Sequence, residues 1–330
     1  MSKFFIVNVG SESRKYALYQ NGERVFSVHF EKENGKLIVE LVGATEEKKE
    51  VSQKEFENSA EYVVNELLSC RLIGNKSEIS AVGFRVVAPG SYFSLHKIID
   101  GEYLKKLETA KEQAPLHINP MLAEIKALGQ ILPGVPIVGV SDSAFHDSMP
   151  DRARHYGIPK NTAEELDIFR FGYHGISFES VVGKIKNMNG GNLPEKIIIC
   201  HLGGLLGLSE KSNDVRELLE MEKSGDKNAK LALEVMVYKI KKYIGAYFAA
   251  LNGADALIFS GTIGERSAIM RSKICAELEN LGIILDDAKN SQTISVDRFI
   301  NKDKSPVKIA VITTDEMGQI ASEAVTVLSK

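Results

Sequence analysis

An aspartate closing one apolar run, an arginine inside another and a histidine set between glycines have the most to offer chemically in this 330-residue sequence. Asp142 follows the run 136–140, and α/β proteins gather their ligands at the carboxyl ends of such strands. Arg85 sits in Gly83-Phe84-Arg85-Val86-Val87, where the two parallel N–H groups of a guanidinium suit a carboxylate or an acyl phosphate. His117 lies in the proline-bracketed loop Pro115-Leu116-His117-Ile118-Asn119-Pro120 and can donate to a phosphoryl oxygen. His174 lies in Gly172-Tyr173-His174-Gly175, whose glycines allow close approach. Each has a plainer reading: Asp142 as the N-cap of a following turn, Arg85 as a solvent-facing strand end, the histidines as structural hydrogen-bonders.

Three further segments fit phosphate and metal chemistry. Asn8-Val9-Gly10-Ser11-Glu12-Ser13-Arg14-Lys15 is a polar hairpin after an apolar run; its glycine admits a phosphate, its amide and hydroxyls support a metal shell, and Lys15 adds a point charge. A simple Gly/Ser turn explains it equally. Ser260-Gly261-Thr262-Ile263-Gly264-Glu265-Arg266 opens a helix whose first amides suit a nucleotide. Glu316 ends Thr314-Asp315-Glu316 and can present a carboxylate to magnesium, although Thr313-x-x-Glu316 also reads as a capping box.

The elements that must position these residues alternate between the two periodicities. Strands are expected over 4–9, 16–20, 24–31 and 36–42, with turns at Asn21-Gly22 and Asn34-Gly35. A helix over 57–70, a strand over 79–87, a helix over 119–132 and a strand over 136–140 follow. The second half opens with a strand over 196–201 and then lacks the partner strands that a repeat of the first half requires. It continues with a helix over 230–251, a strand over 256–259, a turn over 260–264, a helix over 266–281, a strand over 307–313 and a helix over 315–328. Strand–helix alternation predicts α/β architecture with largely parallel sheets. The length suits two lobes, 1–141 with 318–330 and 142–317, hinged near Ser141.

Composition excludes several classes. The 41 basic and 44 acidic residues are interspersed, giving a net charge of −3 and no block suited to nucleic acid or a membrane surface. No run approaches the roughly 20 apolar residues that span a bilayer, and no secretory segment opens the chain, so a cytoplasmic protein is expected. Cys70, Cys200 and Cys275 form no C-x-x-C pair and read as buried apolar residues.

Taken in order, these segments resemble the acetate and propionate kinase family from about residue 4 to about residue 325. The opening N-x-G-S-x-S-x-K matches Asn8, Gly10, Ser11, Ser13 and Lys15; H-R-V-V matches Arg85-Val86-Val87 with Phe84 for histidine; A-P-L-H-N-P matches 114–120 with Ile118 inserted. Asp142-Ser143-Ala144-Phe145-His146, 171–177, Asp214-Val215-Arg216 and 262–266 match later family segments in sequence. The resemblance implies the two-lobed actin-like ATPase fold of the sugar kinase/Hsp70/actin superfamily, with duplicated βββαβα-type domains and the second truncated. It implies reversible transfer of the γ-phosphoryl group of ATP to a short carboxylate, with magnesium, in a homodimer that closes over its substrates.

By the same resemblance Asn8 and Glu316 hold the metal, Arg85 and His117 hold the acid, and Val87, Leu116 and Tyr173 line its pocket. Asp142 and His174, with Arg85, are the catalytic groups. Lys15, His201, Leu202, Gly203, Gly204, Asp214, Val215, Arg216, Thr262, Ile263, Gly264, Glu265 and Arg266 are the nucleotide side, acid-binding being the work of the first lobe and nucleotide binding and dimerisation of the second. The departures are that the family's H-L-G-N-G-A-S loop is reduced to His201-Leu202-Gly203-Gly204-Leu205, and that several tens of residues after it, including an arginine that works with His174, are missing. Thr262 replaces a glycine and Arg266 an asparagine; Arg266 or another basic side chain is a candidate substitute for the lost arginine. A catalytically impaired paralogue that binds nucleotide or a small acid is the alternative; a sugar or glycerol kinase is a third reading without identifiable sugar contacts.

Overall fold

Short apolar or alternating runs along the first fifty positions, separated by tight turns, build an antiparallel meander. The computed structural model describes residues 2–10, 13–33, 35–200, 212 and 214–329. They divide into two compact units, Met1–Glu179 with Asp315–Lys330, and Ser180–Thr314. Residues 142–179, assigned from sequence to the second lobe, cluster with the first unit.

In the first unit β1 (Lys3–Val9), β2 (Ser13–Gln20), β3 (Glu23–Glu33), β4 (Lys36–Val42) and β5 (Glu46–Glu50) run antiparallel to one another in sequence. Asn21 and Gly22 make the two-residue turn between β2 and β3, both with positive φ, the geometry that matches strand twist. On the other side of β1 lie β6 (Ile79–Val86) and β8 (Ile137–Ser141), each parallel to its neighbour, and the short antiparallel edge β7 (Lys97–Ile98). Phe5, Val7, Tyr16, Leu18, Phe30 and Phe84 fill one face of the eight-stranded sheet beneath the helices Ser59–Ser69, Gly101–Ala110 and Pro115–Ile131. On the opposite face, Ile6, Ala17 and Val140 pack beneath the helix Glu316–Leu328.

The second unit is a four-stranded sheet ordered β11 (Arg298–Phe299), β12 (Lys308–Val311), β10 (Ala256–Phe259), β9 (Ile197–Cys200), with β9, β10 and β12 parallel. Leu257, Phe259, Ile309 and Val311 face the helices Val215–Lys223, Lys227–Leu251 and Ala268–Cys275; Ala256, Ile258, Ala310 and Ile312 pack against Val181 and Ile185. Both faces are covered, which is why β10 reads as a continuous apolar run. Cys200 and Cys275 are buried, but Cys70 is exposed, a correction to its reading as core. Among the described residues no helix is long and apolar enough to cross a membrane.

Three expected elements differ. The helix expected over 119–132 starts at Pro115, because a proline at the first helical position loses only an N–H that has no partner there. The stretch around His117 is therefore its first turn and not a loop. The turn expected over 260–264 is the helix Gly261–Arg266, and the helix expected over 266–281 breaks at Ser267, whose hydroxyl accepts from Met270 N and caps Ala268–Cys275.

Candidate functional site

The parallel register of β1, β6 and β8 brings their carboxyl ends side by side, and the polar residues that follow the apolar runs meet there. Arg85, 20% exposed, donates from Nη2 to Asp142 Oδ2 at 2.9 Å and from Nη1 to Asn8 Oδ1 at 3.2 Å. Asn8 Nδ2 donates to Glu316 Oε2 at 3.0 Å, and Arg85 Nη1 lies 3.8 Å from that oxygen. Burial opposes the charge on Arg85, but Asp142 and Glu316 outweigh it and leave its pKa raised. A cation between two carboxylates is thus held charged.

Asp142 is fully buried and does not cap a helix. Its Oδ2 also accepts from the backbone N of His174 at 2.9 Å, while Oδ1 is buried without a partner. His174 has φ +62°, which costs a non-glycine residue on the order of 1 kcal/mol; the bond to Asp142 helps to hold it. The flanking glycines have specific causes. A Cβ on Gly175 would stand 2.6 Å from the Asp142 carbonyl, and one on Gly172 would stand 2.4 Å from the His146 ring.

Glu316 is free of the capping box read from the sequence, because Asp315 caps the helix through Gly318 N. Its carboxylate turns into the cluster instead, where Ser177 Oγ donates to Oε1 at 2.5 Å. Ser177 was not singled out from the sequence; its position three residues after His174, in the first turn of the helix Gly175–Met188, was the available signal. Lys15 pairs with Asn8 across the β1–β2 hairpin and is exposed, which places it in the first unit beside the cluster. Val87 is half-buried, with its N–H on Met121 Sδ. Leu116 and His117 are exposed, and so is Tyr173, whose pKa is raised by burial and by the charge of Asp142.

Behind Asp142 lies a second group that sequence reasoning missed. Ser141 N donates to His96 Nδ1 at 3.0 Å, which puts the ring proton on Nε2, 3.6 Å from Glu323 Oε2. Gln319 Nε2 donates to Glu323 Oε1 at 2.9 Å, and Glu179 stands beside this pair. Burial, then the charges of Glu323 and Asp142, push the Glu179 carboxyl up from 4.5 to about 7. The folded chain keeps that proton where the unfolded chain loses it, so this group's contribution to stability declines as pH rises through that interval. Glu179→Gln should raise Tm at pH 8 by about 2 °C, allowing for solvent screening, and leave it unchanged at pH 4, as read by calorimetry.

In the second unit Asp214, Val215, Arg216, Thr262, Ile263, Arg266 and Ser267 line a cavity of about 480 Å³, within the range of small-molecule sites. Asp214 accepts from Arg216 N, capping the helix Val215–Lys223, and its carboxylate takes Arg216 Nη2 at 2.5 Å. Two expected members do not line this cavity: Gly264 is buried, and Glu265 Oε1 accepts from Gly261 N and Thr314 N, bracing the segment from within. His201, Leu202, Gly203 and Gly204 lie outside the described residues.

The acetokinase family model matches residues 3–204 and 203–322, nearly the whole sequence. The chain belongs to the acetokinase family. It is 34% identical to the acetate kinase of Carboxydothermus hydrogenoformans over 391 aligned positions, covering 97% of this chain and 98% of that one. It is 33% identical to the acetate kinase of Thermotoga maritima, covering 99% of each. Among solved structures it is similar to the acetate kinase of Porphyromonas gingivalis (TM-score 0.86, 28% identity, 99% and 100% of the two chains) and to a propionate kinase of Francisella tularensis (TM-score 0.86, 27% identity, 98% and 99%). The fold is accordingly the α/β fold of the acetokinase family. An alignment of 391 positions exceeds the 330 residues present, so this acetokinase is a shortened one. The two matched stretches meet at residues 203 and 204, which places the missing sequence there, where the expected strand repeat stops.

Proposed function

We propose that the chain is a magnesium-dependent carboxylate kinase: an oxygen of a short acid, acetate first, attacks the γ-phosphorus of ATP, the bond to the β–γ bridging oxygen breaks, and acyl phosphate and ADP form reversibly. The observation that carries this is the buried Asp142 carboxylate, one oxygen tied to Arg85 and His174 N and the other without a partner, at the carboxyl ends of β6 and β8. A carboxylate acceptor is already deprotonated at neutral pH, so the site needs alignment and charge neutralisation and no general base. Arg85 holds the acid with His117, beside Val87, Leu116 and Tyr173. His174 stabilises the transferring group. The second unit binds the nucleotide, through Asp214, Val215, Arg216, Thr262, Ile263 and Arg266, with 201–204 on its phosphates; Lys15, expected on the nucleotide side, belongs to the first unit.

Asn8, Glu316 and the unpartnered Asp142 Oδ1 are hard oxygen donors of the kind that suit magnesium, directly or through water. Bound there, the metal would neutralise phosphate charge. Glu316→Gln should raise the magnesium concentration for half-maximal rate about 10-fold or more, measured by titration at fixed ATP.

Purified chain, acetate, ATP and magnesium should yield acyl phosphate trapped as the hydroxamate, and the yield should vanish in Asp142→Ala. Failure with acetate, propionate and butyrate alike, in a chain that still binds ADP, would replace the kinase by the nucleotide-binding paralogue. If Arg266 stands in for the lost arginine, Arg266→Ala should lower turnover by about 10³-fold; unchanged turnover removes that role. A cytoplasmic homodimer completes the proposal, supported by the exposed, stacked Tyr243 and Tyr247 on the second unit and checked by the mass in solution.

A further inference from the structure

In the second unit a positive charge is buried and, among the described residues, no opposite charge lies against it. Arg271, in the helix Ala268–Cys275, is wholly inaccessible, and among the described residues no carboxylate pairs with it. Such a group persists only where its donors are matched, and a guanidinium has five N–H bonds to match. Nε donates to Asn290 Oδ1 at 2.7 Å. Nη1 donates to the carbonyls of Gly264 at 2.8 Å and Glu265 at 3.1 Å. Nη2 donates to the carbonyls of Asn290 at 3.0 Å and Thr293 at 2.6 Å. Burial pulls the pKa of Arg271 down to about 10, so it stays charged at neutral pH.

Its acceptors are also fixed. Asn290 is buried and returns Nδ2 to Ala268 O and Ser272 Oγ. The Glu265 carbonyl takes a second donor, Ser295 N at 3.1 Å. An apolar side chain could fill this volume without the desolvation cost. What it could not do is orient two successive peptide planes, which the planar fork of an arginine does. Those planes follow Gly264 and Glu265, between Thr262 and Ile263 on one side and Arg266 on the other, all of which wall the cavity of about 480 Å³.

We propose that Arg271 is a positioning residue for nucleotide binding: it holds the 262–266 segment in its ligand-ready shape, so that little ordering is needed when the nucleotide arrives. The inference rests on the reading of that cavity as the nucleotide site. The test uses the full chain, Arg271→Lys, and Asn290→Ala as the milder second variant. ADP binding is followed by calorimetry, and KM is measured separately for ATP and acetate. In each variant that folds, Kd for ADP and KM for ATP should rise at least 10-fold, with KM for acetate within twofold. ADP affinity kept within twofold overturns the inference, even if Tm falls, and Asn290→Ala decides alone if Arg271→Lys does not fold. No ADP binding by the unaltered chain overturns the cavity's reading and this inference together, whereas equal binding by all three overturns the inference only.

Discussion

Asp142→Asn should lower acyl-phosphate formation by about 10³-fold or more, the scale on which buried, preorganised charge contributes to phosphoryl and acyl transfer. The substitution separates charge from geometry. An asparagine oxygen can keep both bonds that Oδ2 accepts, from Arg85 Nη2 and from His174 N, so the left-handed backbone at His174 keeps its anchor. The negative charge is lost, and an NH2 group replaces the unpartnered Oδ1. Arg85 retains Asn8 and the nearby Glu316, so Tm should fall by about 5 °C or less. Single-turnover hydroxamate assays beside a melting curve would measure both quantities. A rate within tenfold of the unaltered chain would take Asp142 out of the reaction.

Arg85→Ala should be the most destabilising single change in the cluster. It leaves Asp142, with no solvent access, and Glu316 facing the same emptied space without their shared cation. Removing one member of a buried pair costs about 3–5 kcal/mol, because the partner's charge stays buried, and that corresponds to a Tm fall of about 6–15 °C. Arg85→Lys tells the two roles apart. It restores a charge and much of the stability, but a point charge lacks the parallel donors for a carboxylate, so KM for the acid should stay high. A Tm for Arg85→Ala within 2 °C of the parent would show that the two carboxylates do not depend on this cation.

Much of this architecture was legible in the residues. Strands β1 to β4 were readable because each carries a short apolar or alternating run bounded by a turn, and Asn21-Gly22 specifies the hairpin locally. β5 was missed because Glu46-Glu47-Lys48-Lys49-Glu50 has no apolar face, and it is an edge strand held by pairing with β4. Pro120 closed the expected loop 115–120 and stood second in the helix expected over 119–132; it lies well inside the helix Pro115–Ile131, where packing of Ile118, Met121 and Ile125 outweighs the local penalty. Thr162 and Glu165 have the spacing of a capping box, yet both fall inside the helix Lys160–Glu165, whose N-cap is Pro159.

The candidate site divides along the same line. Asn8, Arg85 and Asp142 could be picked out singly because each follows or interrupts an apolar run, and a polar residue at a strand's carboxyl end is a local pattern. By itself the sequence determined the periodicities, the strand–helix order and the place where the repeat breaks off, since backbone preference and amphipathic spacing act over a few residues. Only the tertiary structure decided that Glu316, 308 positions from Asn8, leaves its helix cap to Asp315 and joins Asn8, Arg85 and Ser177. It likewise brought His96, Glu179 and Glu323 together, and gave the buried charge of Arg271 its five acceptors. Cross-chain hydrogen bonds and desolvation depend on which elements meet, and no local pattern in the chain encodes that meeting.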